Sequence, residues 1–349
     1  SGNAYTPYDA FTLDDAAPDD GDGVSSTVTY NVDPGTYTIT EILPNSLWNL
    51  SNATCTGASG TVSLTDETLS VAISNGEAVQ CTFTNEVLCP ASWIVTNENE
   101  LAACIILANN NESPSPTADT ITLGADITLT TALPHITSEI LLEGPNHFID
   151  GGDSVQLFYV NSAGNFTVNQ VTLQNGSATN GGAIYNSGTL TVTDSTFIGN
   201  SASDSGGGIY NGTGMLIVTN STFSGNAANY LGGGISNDNG GPLTVTNTTF
   251  SSNSANYGGG IYNNFGTLTV TNSTFSGNVV DDSGGGIYNN FGTLTVTNST
   301  FSDNSANYGG GVYNNIGTAH LAGTILANST SGGNCVSIST LNDNGYNLS

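Results

Sequence analysis

Gly292-Thr-Leu-Thr-Val-Thr-Asn298-Ser-Thr-Phe301-Ser-Asp-Asn304-Ser-Ala-Asn-Tyr308-Gly-Gly-Gly-Val312-Tyr-Asn314 is one copy of a unit that recurs through the second half of the chain. The residue closing each Gly-Gly-Gly/Ala-Ile/Val run falls at Ile184, Ile209, Ile235, Ile261, Ile287 and Val312, in steps of 25, 26, 26, 26 and 25. Phe197, Phe223, Phe250, Phe275 and Phe301 follow in steps of 26, 27, 25 and 26. Such a period fixes the architecture before any local reading, because one unit cannot bury an apolar face alone and must stack on its neighbours. In Thr293-Leu-Thr-Val-Thr297 the period is two, so Leu294 and Val296 face inward and the threonines outward. Three short strands per unit, turned at Asn and Gly corners and stacked ~4.8 Å apart, make a parallel β-helix.

Asn and Gly tolerate the left-handed backbone of sharp corners. The spacing therefore predicts that Asn220, Asn247, Asn272 and Asn298 stack as a ladder of mutually bonded amides, with Asp194 the exception in the column. Tyr185, Tyr210, Tyr262, Tyr288 and Tyr313 form an external aromatic column that Ser236 interrupts. Thr191/Thr193, Thr244/Thr246, Thr269/Thr271 and Thr295/Thr297 give a regular outward array. It shares its pattern with ice-binding solenoids, although ordinary β-propensity is the plainer account.

Upstream, Asn97-Glu98-Asn99-Glu100 followed by an apolar run to Ala108 is the one good helix signal, and Asn97 with Glu100 makes a capping box. Its face of Leu101, Cys104, Ile105 and Ala108 is expected to cover the open first coil. Strands near Thr120 to Leu123, Ile127 to Leu129 and Glu139 to Leu142 begin the solenoid, so residues 88–152 are read as cap and first coils and 153–349 as the regular β-helix. Residues 1–87 alternate strands such as Thr36 to Thr40 and Gln80 to Thr84 with turns at Asp33-Pro-Gly35 and Asn75-Gly76, the pattern of a small β-sandwich.

The 349 residues hold 28 Asp plus Glu and neither Lys nor Arg, for a formal charge of −28. Nucleic acid is excluded as a partner on that charge, and anionic membrane surfaces are disfavoured. Lysine Schiff bases, Walker-type phosphate loops, arginine fingers and Lys–Asn isopeptide bonds have no residues to form them. Forty-five Gly with abundant Asn, Thr and Ser point to strands and tight turns. No stretch reaches the ~18 apolar residues of a membrane span, so membrane insertion is not expected, and without a charged n-region the chain reads as mature or as a fragment.

The five cysteines lack zinc-site spacing and read as disulfides made in an extracellular, oxidising setting. Cys55–Cys81 would staple the small first domain, Cys89–Cys104 would pin the cap helix, and Cys335 is left over.

The paired Gly-Gly-Gly/Ala-Ile/Val and Phe-x-x-Asn motifs, the latter at Phe197–Asn200, Phe223–Asn226, Phe250–Asn253, Phe275–Asn278 and Phe301–Asn304, resemble the repeats of polymorphic outer-membrane proteins and related secreted bacterial β-helix proteins. With Trp93-Ile-Val-Thr-Asn97 and Ile149-Asp-Gly-Gly152, the resemblance spans about residues 91–349 and implies a right-handed helix at a cell surface with adhesion as its role. The chain departs from that family in having no outer-membrane barrel. Phe11-Thr-Leu-Asp-Asp15, Pro34 to Glu41, Trp48, Cys55, Gly76-Glu77 and Cys81 to Asn85 resemble the prealbumin-like, SpaA-type domains of bacterial surface proteins and pili, here one strand short at its start. The expected fold class is all-β: a small β-sandwich, then a right-handed parallel β-helix with a capping helix.

A glycosidase needs carboxylates at fixed separation on one face. Asp194, Asp204, Asp238, Asp281, Asp282 and Asp303 read instead as scattered turn residues, with Asp281-Asp282 in a loop. His135, His147 and His320 have no ligand partner at metal spacing. Asp14, Asp15, Asp19, Asp20 and Asp22 resemble an oxygen-rich Ca²⁺ loop, the one candidate cofactor, against the plainer reading of an acidic loop. Asn220, Asn272 and Asn298 also lie in Asn-x-Ser/Thr triplets, generated by the repeat itself.

The expectation is a non-enzymatic extracellular structural or adhesive protein. It would self-associate by strand donation or end-to-end stacking into a head-to-tail fibre, with a glycan or host-surface ligand. The alternatives are a polysaccharide-binding or polysaccharide-cleaving β-helix, and an ice- or mineral-binding solenoid. Trypsin, which needs Lys or Arg, should leave the chain intact.

Overall fold

The computed structural model describes residues 33–40, 48–65, 68–90, 92–110 and 118–348. The chain divides into two compact units, Ser1–Glu86 and Val87–Ser349.

In the first unit the strands are β1 (Gly35–Thr40), β2 (Trp48–Thr56), β3 (Val62–Thr65), β4 (Thr68–Ile73) and β5 (Gln80–Val87). β4 lies between β1 and β3, antiparallel to both, and β2 pairs with β5. Tyr37 and Ile39 of β1 are half-buried while Thr36, Thr38 and Thr40 are exposed, and Leu69 and Val71 of β4 are fully buried. This is a small β-sandwich whose limited core is supplemented by a Cys55–Cys81 bridge between β2 and β5. At the Asn75-Gly76 turn the Glu77 carboxylate accepts the Ser59 and Ser74 N–H groups at 3.0 and 2.7 Å, and the Ser59 side chain first, then these N–H groups, hold its carboxyl below the ordinary value.

The second unit opens with β6 (Ile94–Val95), α1 (Glu98–Asn110), β7 (Asp119–Leu123), β8 (Ile127–Thr128) and β9 (Glu139–Asp150). Asn97 caps α1 by accepting the Glu100 N–H at 3.0 Å. The reciprocal arm shifts by one residue, because the Glu100 carboxylate takes the Thr96 N–H and hydroxyl at 2.7 and 3.0 Å. Leu101, Cys104, Ile105 and Ala108 are buried where α1 packs on β7 and β9. A Cys89–Cys104 disulfide ties α1 to the segment before β6.

From Ile184 onward the strands pair parallel and in register, so Ile184, Ile209, Ile235, Ile261, Ile287 and Val312 stack as one inward column. The coils that begin at Ile184, Ile209, Ile235 and Ile261 have four strands rather than three, as in Ile261–Asn264, Thr267–Thr271, Thr274–Ser276 and Val279–Ser283, while the coil from Ile287 keeps three, with isolated bridges at Ser305 and Tyr308 in place of the fourth. The fourth escapes a sequence reading because it is short and polar, with one small inward residue per coil such as Ala202 or Val280. Asp281 and Asp282 therefore lie on a strand and not in a loop.

The core is a column of fully buried phenylalanines, Phe197 to Phe301, stacked at 4.5 to 4.9 Å. The triple-glycine run gives these rings room: a Cβ at Gly260 would sit 2.7 Å from the Phe275 ring and 2.6 Å from the Gly286 carbonyl.

Asn220, Asn247, Asn272 and Asn298 do adopt left-handed backbones, each with φ 51°. Their expected ladder does not form: only Asn247 donates to Asn220, at 3.1 Å, and all four are exposed. The corner is convex, so its side chains project into water, which competes for every amide. The buried bonded ladders are two inward columns. Asn200, Asn226, Asn253 and Asn278 each donate to the next side-chain oxygen at 2.9 to 3.0 Å, ending at Asn304, and the Nδ2 of all five also reaches the carbonyl of a core residue, as Asn253 does with Phe223. Asn186, Asn211, Asn237, Asn263, Asn289 and Asn314 form the other, at 2.6 to 2.8 Å. Both are fully buried. Away from water these amides polarise one another, and any break strands a buried donor or acceptor.

Candidate functional site

On the lateral wall the tyrosine column meets its break beside the Asp238 carboxylate. Ile235 and Asn237 face inward, so Ser236 between them faces outward, between Tyr210 and Tyr262 of the adjacent coils. Ser236 is nevertheless fully buried, and its hydroxyl is the one buried side-chain polar atom without a partner among the described residues. Tyr210 donates its hydroxyl to Asp238 Oδ2 at 3.2 Å, one coil on, while Asn264 Nδ2 and the Asn239 N–H hold Oδ1 at 2.7 and 2.9 Å. Burial first, then the negative charge of Asp238 and a smaller contribution from Asp204, push the Tyr210 phenol well above its ordinary value. At neutral pH it stays protonated and acts only through hydrogen bonds.

The tyrosine column itself is present in two runs. Tyr159, Tyr185 and Tyr210 follow one another at 4.5 and 5.0 Å, and Tyr262, Tyr288 and Tyr313 at 5.2 and 5.1 Å. It is less external than its sequence position predicts, because Tyr262 and Tyr288 are buried. His135 extends the first run by stacking on Tyr159 at 4.3 Å.

The remaining carboxylates are spread along the axis. Asp204 and Asp282 sit on the same strand column three coils apart, ~14 Å, beyond the roughly 5–9.5 Å that separates glycosidase carboxylates. Asp282 is engaged locally, accepting the Tyr257 hydroxyl at 3.1 Å and the Ser283 hydroxyl at 2.7 Å. Asp194 and Asp303 lie at left-handed corners more than four coils apart in the repeat.

His147 has a carboxylate partner that spacing did not reveal, its Nδ1 lying 3.1 Å from Asp126 Oδ1 in the turn before β8. Nearby, an open cleft of about 360 Å³ is lined by Asn97, Glu98, Asp126 and Thr128. Glu98 is already occupied: its carboxylate takes the N–H and hydroxyl groups of both Thr130 and Thr131 at 2.7 to 3.0 Å. Burial raises its pKa, but these bonds outweigh burial and hold it below the ordinary value. Among the described residues no group of three His, Cys, Asp or Glu side chains is placed to hold a metal ion. The candidate Ca²⁺ residues Asp14, Asp15, Asp19, Asp20 and Asp22 lie outside the described residues.

Cys335 is a free thiol that burial pushes up to about 11. The outward threonines stand in register as Thr244, Thr269 and Thr295, but Ile217 precedes them and His320 follows, so the array is three coils long in that column.

Two family descriptions match this chain: a prealbumin-like fold domain over residues 2–87 and a right-handed β-helix region over residues 155–344. No curated protein and no solved structure matches it.

Proposed function

Because this chain belongs to the right-handed β-helix family, with a prealbumin-like domain before the helix, we propose that it is a non-catalytic structural or adhesive protein of an extracellular surface. The observation that carries the reading is the use made of polar groups. Asparagine, serine and threonine are spent on coil-to-coil hydrogen bonds, and Asp282, Glu98 and Asp150 are each held by local donors rather than paired across a cleft. Two disulfides and the prealbumin-like domain support an extracellular location. Incubation with polygalacturonate and neutral polysaccharides should release no reducing ends above a heat-inactivated control. Release above that control would overturn the reading.

Axial assembly belongs to the same proposal. Leu341 continues the inward column of Ala319 yet is 42% exposed, and Ile338 and Leu348 are exposed beside it. These residues present an apolar surface on which a further coil stacks, whether of this chain or of another copy. Light scattering at physiological salt checks this: monodisperse monomers would remove the fibre.

A second reading, polysaccharide cleavage, is favoured only by the Asp238 carboxylate that accepts the Tyr210 hydroxyl at 3.2 Å on the outer wall. Were it correct, Asp238→Asn would abolish the released reducing ends.

A further inference from the structure

The corner two residues beyond the inward asparagine column changes character along the solenoid. In the early coils it carries Gly188 and Thr213, and in the third the turn Asn239-Gly240. In the next three it carries Phe265, Phe291 and Ile316, which are 61%, 47% and 52% exposed. The two phenyl rings stack at 4.9 Å with planes 9° apart, one ring per coil. Both phenylalanines hold left-handed backbones, φ 58° and 54°, at positions where Asn or Gly is the unstrained choice. Exposed bulky residues in a strained conformation are not explained by the core, since they contribute nothing to it.

The ridge has two polar borders. On one side Asn290 donates to Asn264 at 2.9 Å and Asn315 to Asn290 at 2.8 Å, an amide ribbon with donor and acceptor capacity to spare. On the other side stand Thr267, Thr293 and Thr318, in register. The threonine border carries no charge, and the amide border has one only at its near end, where Asn264 donates to Asp238 at 2.7 Å, on a chain whose formal charge is −28.

Three properties select the occupant. Three coils give a ridge only ~10–15 Å long, too small a patch to supply the ~800 Å² per partner of a stable protein interface, which rules against a second copy. An extended peptide advances ~3.3 Å per residue and falls out of step with rings 4.9 Å apart. A sugar ring in an extended β-linked chain advances by about the length of one coil, and presents C–H faces flanked by hydroxyls. The net charge opposes uronates and other acidic glycans. We infer that the Phe265–Phe291–Ile316 ridge, with its amide and threonine borders, binds a neutral, extended oligosaccharide segment of about three sugar rings running along the solenoid axis. This rests on the adhesive reading above and gives it a ligand class.

The test is retention of the full chain on insoluble cellulose, chitin, β-1,3-glucan and mannan, with polygalacturonate as the acidic control, comparing wild type with Phe265→Asn/Phe291→Asn. Asparagine suits the left-handed corner, so the variant should melt no lower than wild type, which separates loss of binding from loss of fold. The expected result is retention on at least one neutral polysaccharide, weakened by about tenfold or more in the variant, with none on polygalacturonate. Retention on none of the four, or retention equal in both proteins, overturns the inference. So does a change in light-scattering mass in the variant without any glycan retention, which would assign the ridge to self-association. Absence of glycan retention leaves the non-catalytic reading standing, whereas released reducing ends remove that reading whatever the ridge binds.

Discussion

Val71 in the first unit and Val270 in the second are equally buried, but their surroundings differ in kind. Val71 lies between Tyr37 and Val62 on antiparallel neighbours, each contact unlike the others. Val270 lies between Val245 and Val296, the same residue above and below. In the β-helix each coil is the template for the next, so stability is close to a sum of nearest-neighbour terms and grows with the number of coils. The first unit has no such accumulation, and a covalent bridge offsets its small core. Replacements that remove one link in each unit make this contrast measurable.

The largest effect should come from Asn253→Ala. It removes the acceptor of two groups of Asn226, backbone and side chain, and the donor to Phe223 O and Asn278 Oδ1. Stranding these buried groups should cost about 4 kcal/mol or more, seen in denaturant unfolding as early loss of the central coils.

Replacing Cys55 and Cys81 together by Ser should destabilise the first unit by about 3 kcal/mol. Differential scanning calorimetry should show its transition moving down while that of the β-helix stays, which would fail if the units unfold as one.

Asn247→Ala, at the exposed corner, should cost only about 1 kcal/mol, from the left-handed backbone and one exposed bond. Asn247→Gly should restore most of that loss, since glycine carries no penalty there.

The smallest effects concern pH. Burial first, then the Asp238 charge beside Tyr210 and the neighbouring phenols of Tyr262 and Tyr313 beside Tyr288, hold both phenols above the ordinary value of 10.0, so they contribute stability that is full below that value and lost as pH rises past it. Burial raises the Glu98 and Asp150 carboxyls, yet their hydrogen bonds leave both below the ordinary value. Their contribution is present above the ordinary carboxylate range and fades as pH falls beneath it. A melting profile against pH should decline at both ends, and Tyr210→Phe should flatten the alkaline limb.

The β-helix was legible because its repeat is written in large residues: Phe250, Ile261 and Leu268 mark three walls of one coil in sequence alone. The fourth strand was not, since Ser254-Ala-Asn-Tyr257 carries no apolar alternation and its strand character comes from pairing with Val279–Ser283. Both disulfides follow from which elements needed tying. The sequence points to the corner asparagines for the amide ladder, because a corner position and an inward position look alike in sequence. Asn298 and Asn304 recur with the same period, and only the three-dimensional fold shows which one faces away from water. Tyr210 and Asp238 are 28 residues apart, close to but not at the repeat spacing, so no motif announced their contact.

Hydrogen–deuterium exchange on Asn253→Ala beside Asn247→Ala tests the central claim, that inward amides rather than corner amides lock coil to coil. The account predicts that Asn253→Ala strips protection from its own coil and the two next to it, while Asn247→Ala leaves the wild-type pattern except at the corner. Equal loss in both variants, or greater loss in Asn247→Ala, would contradict it.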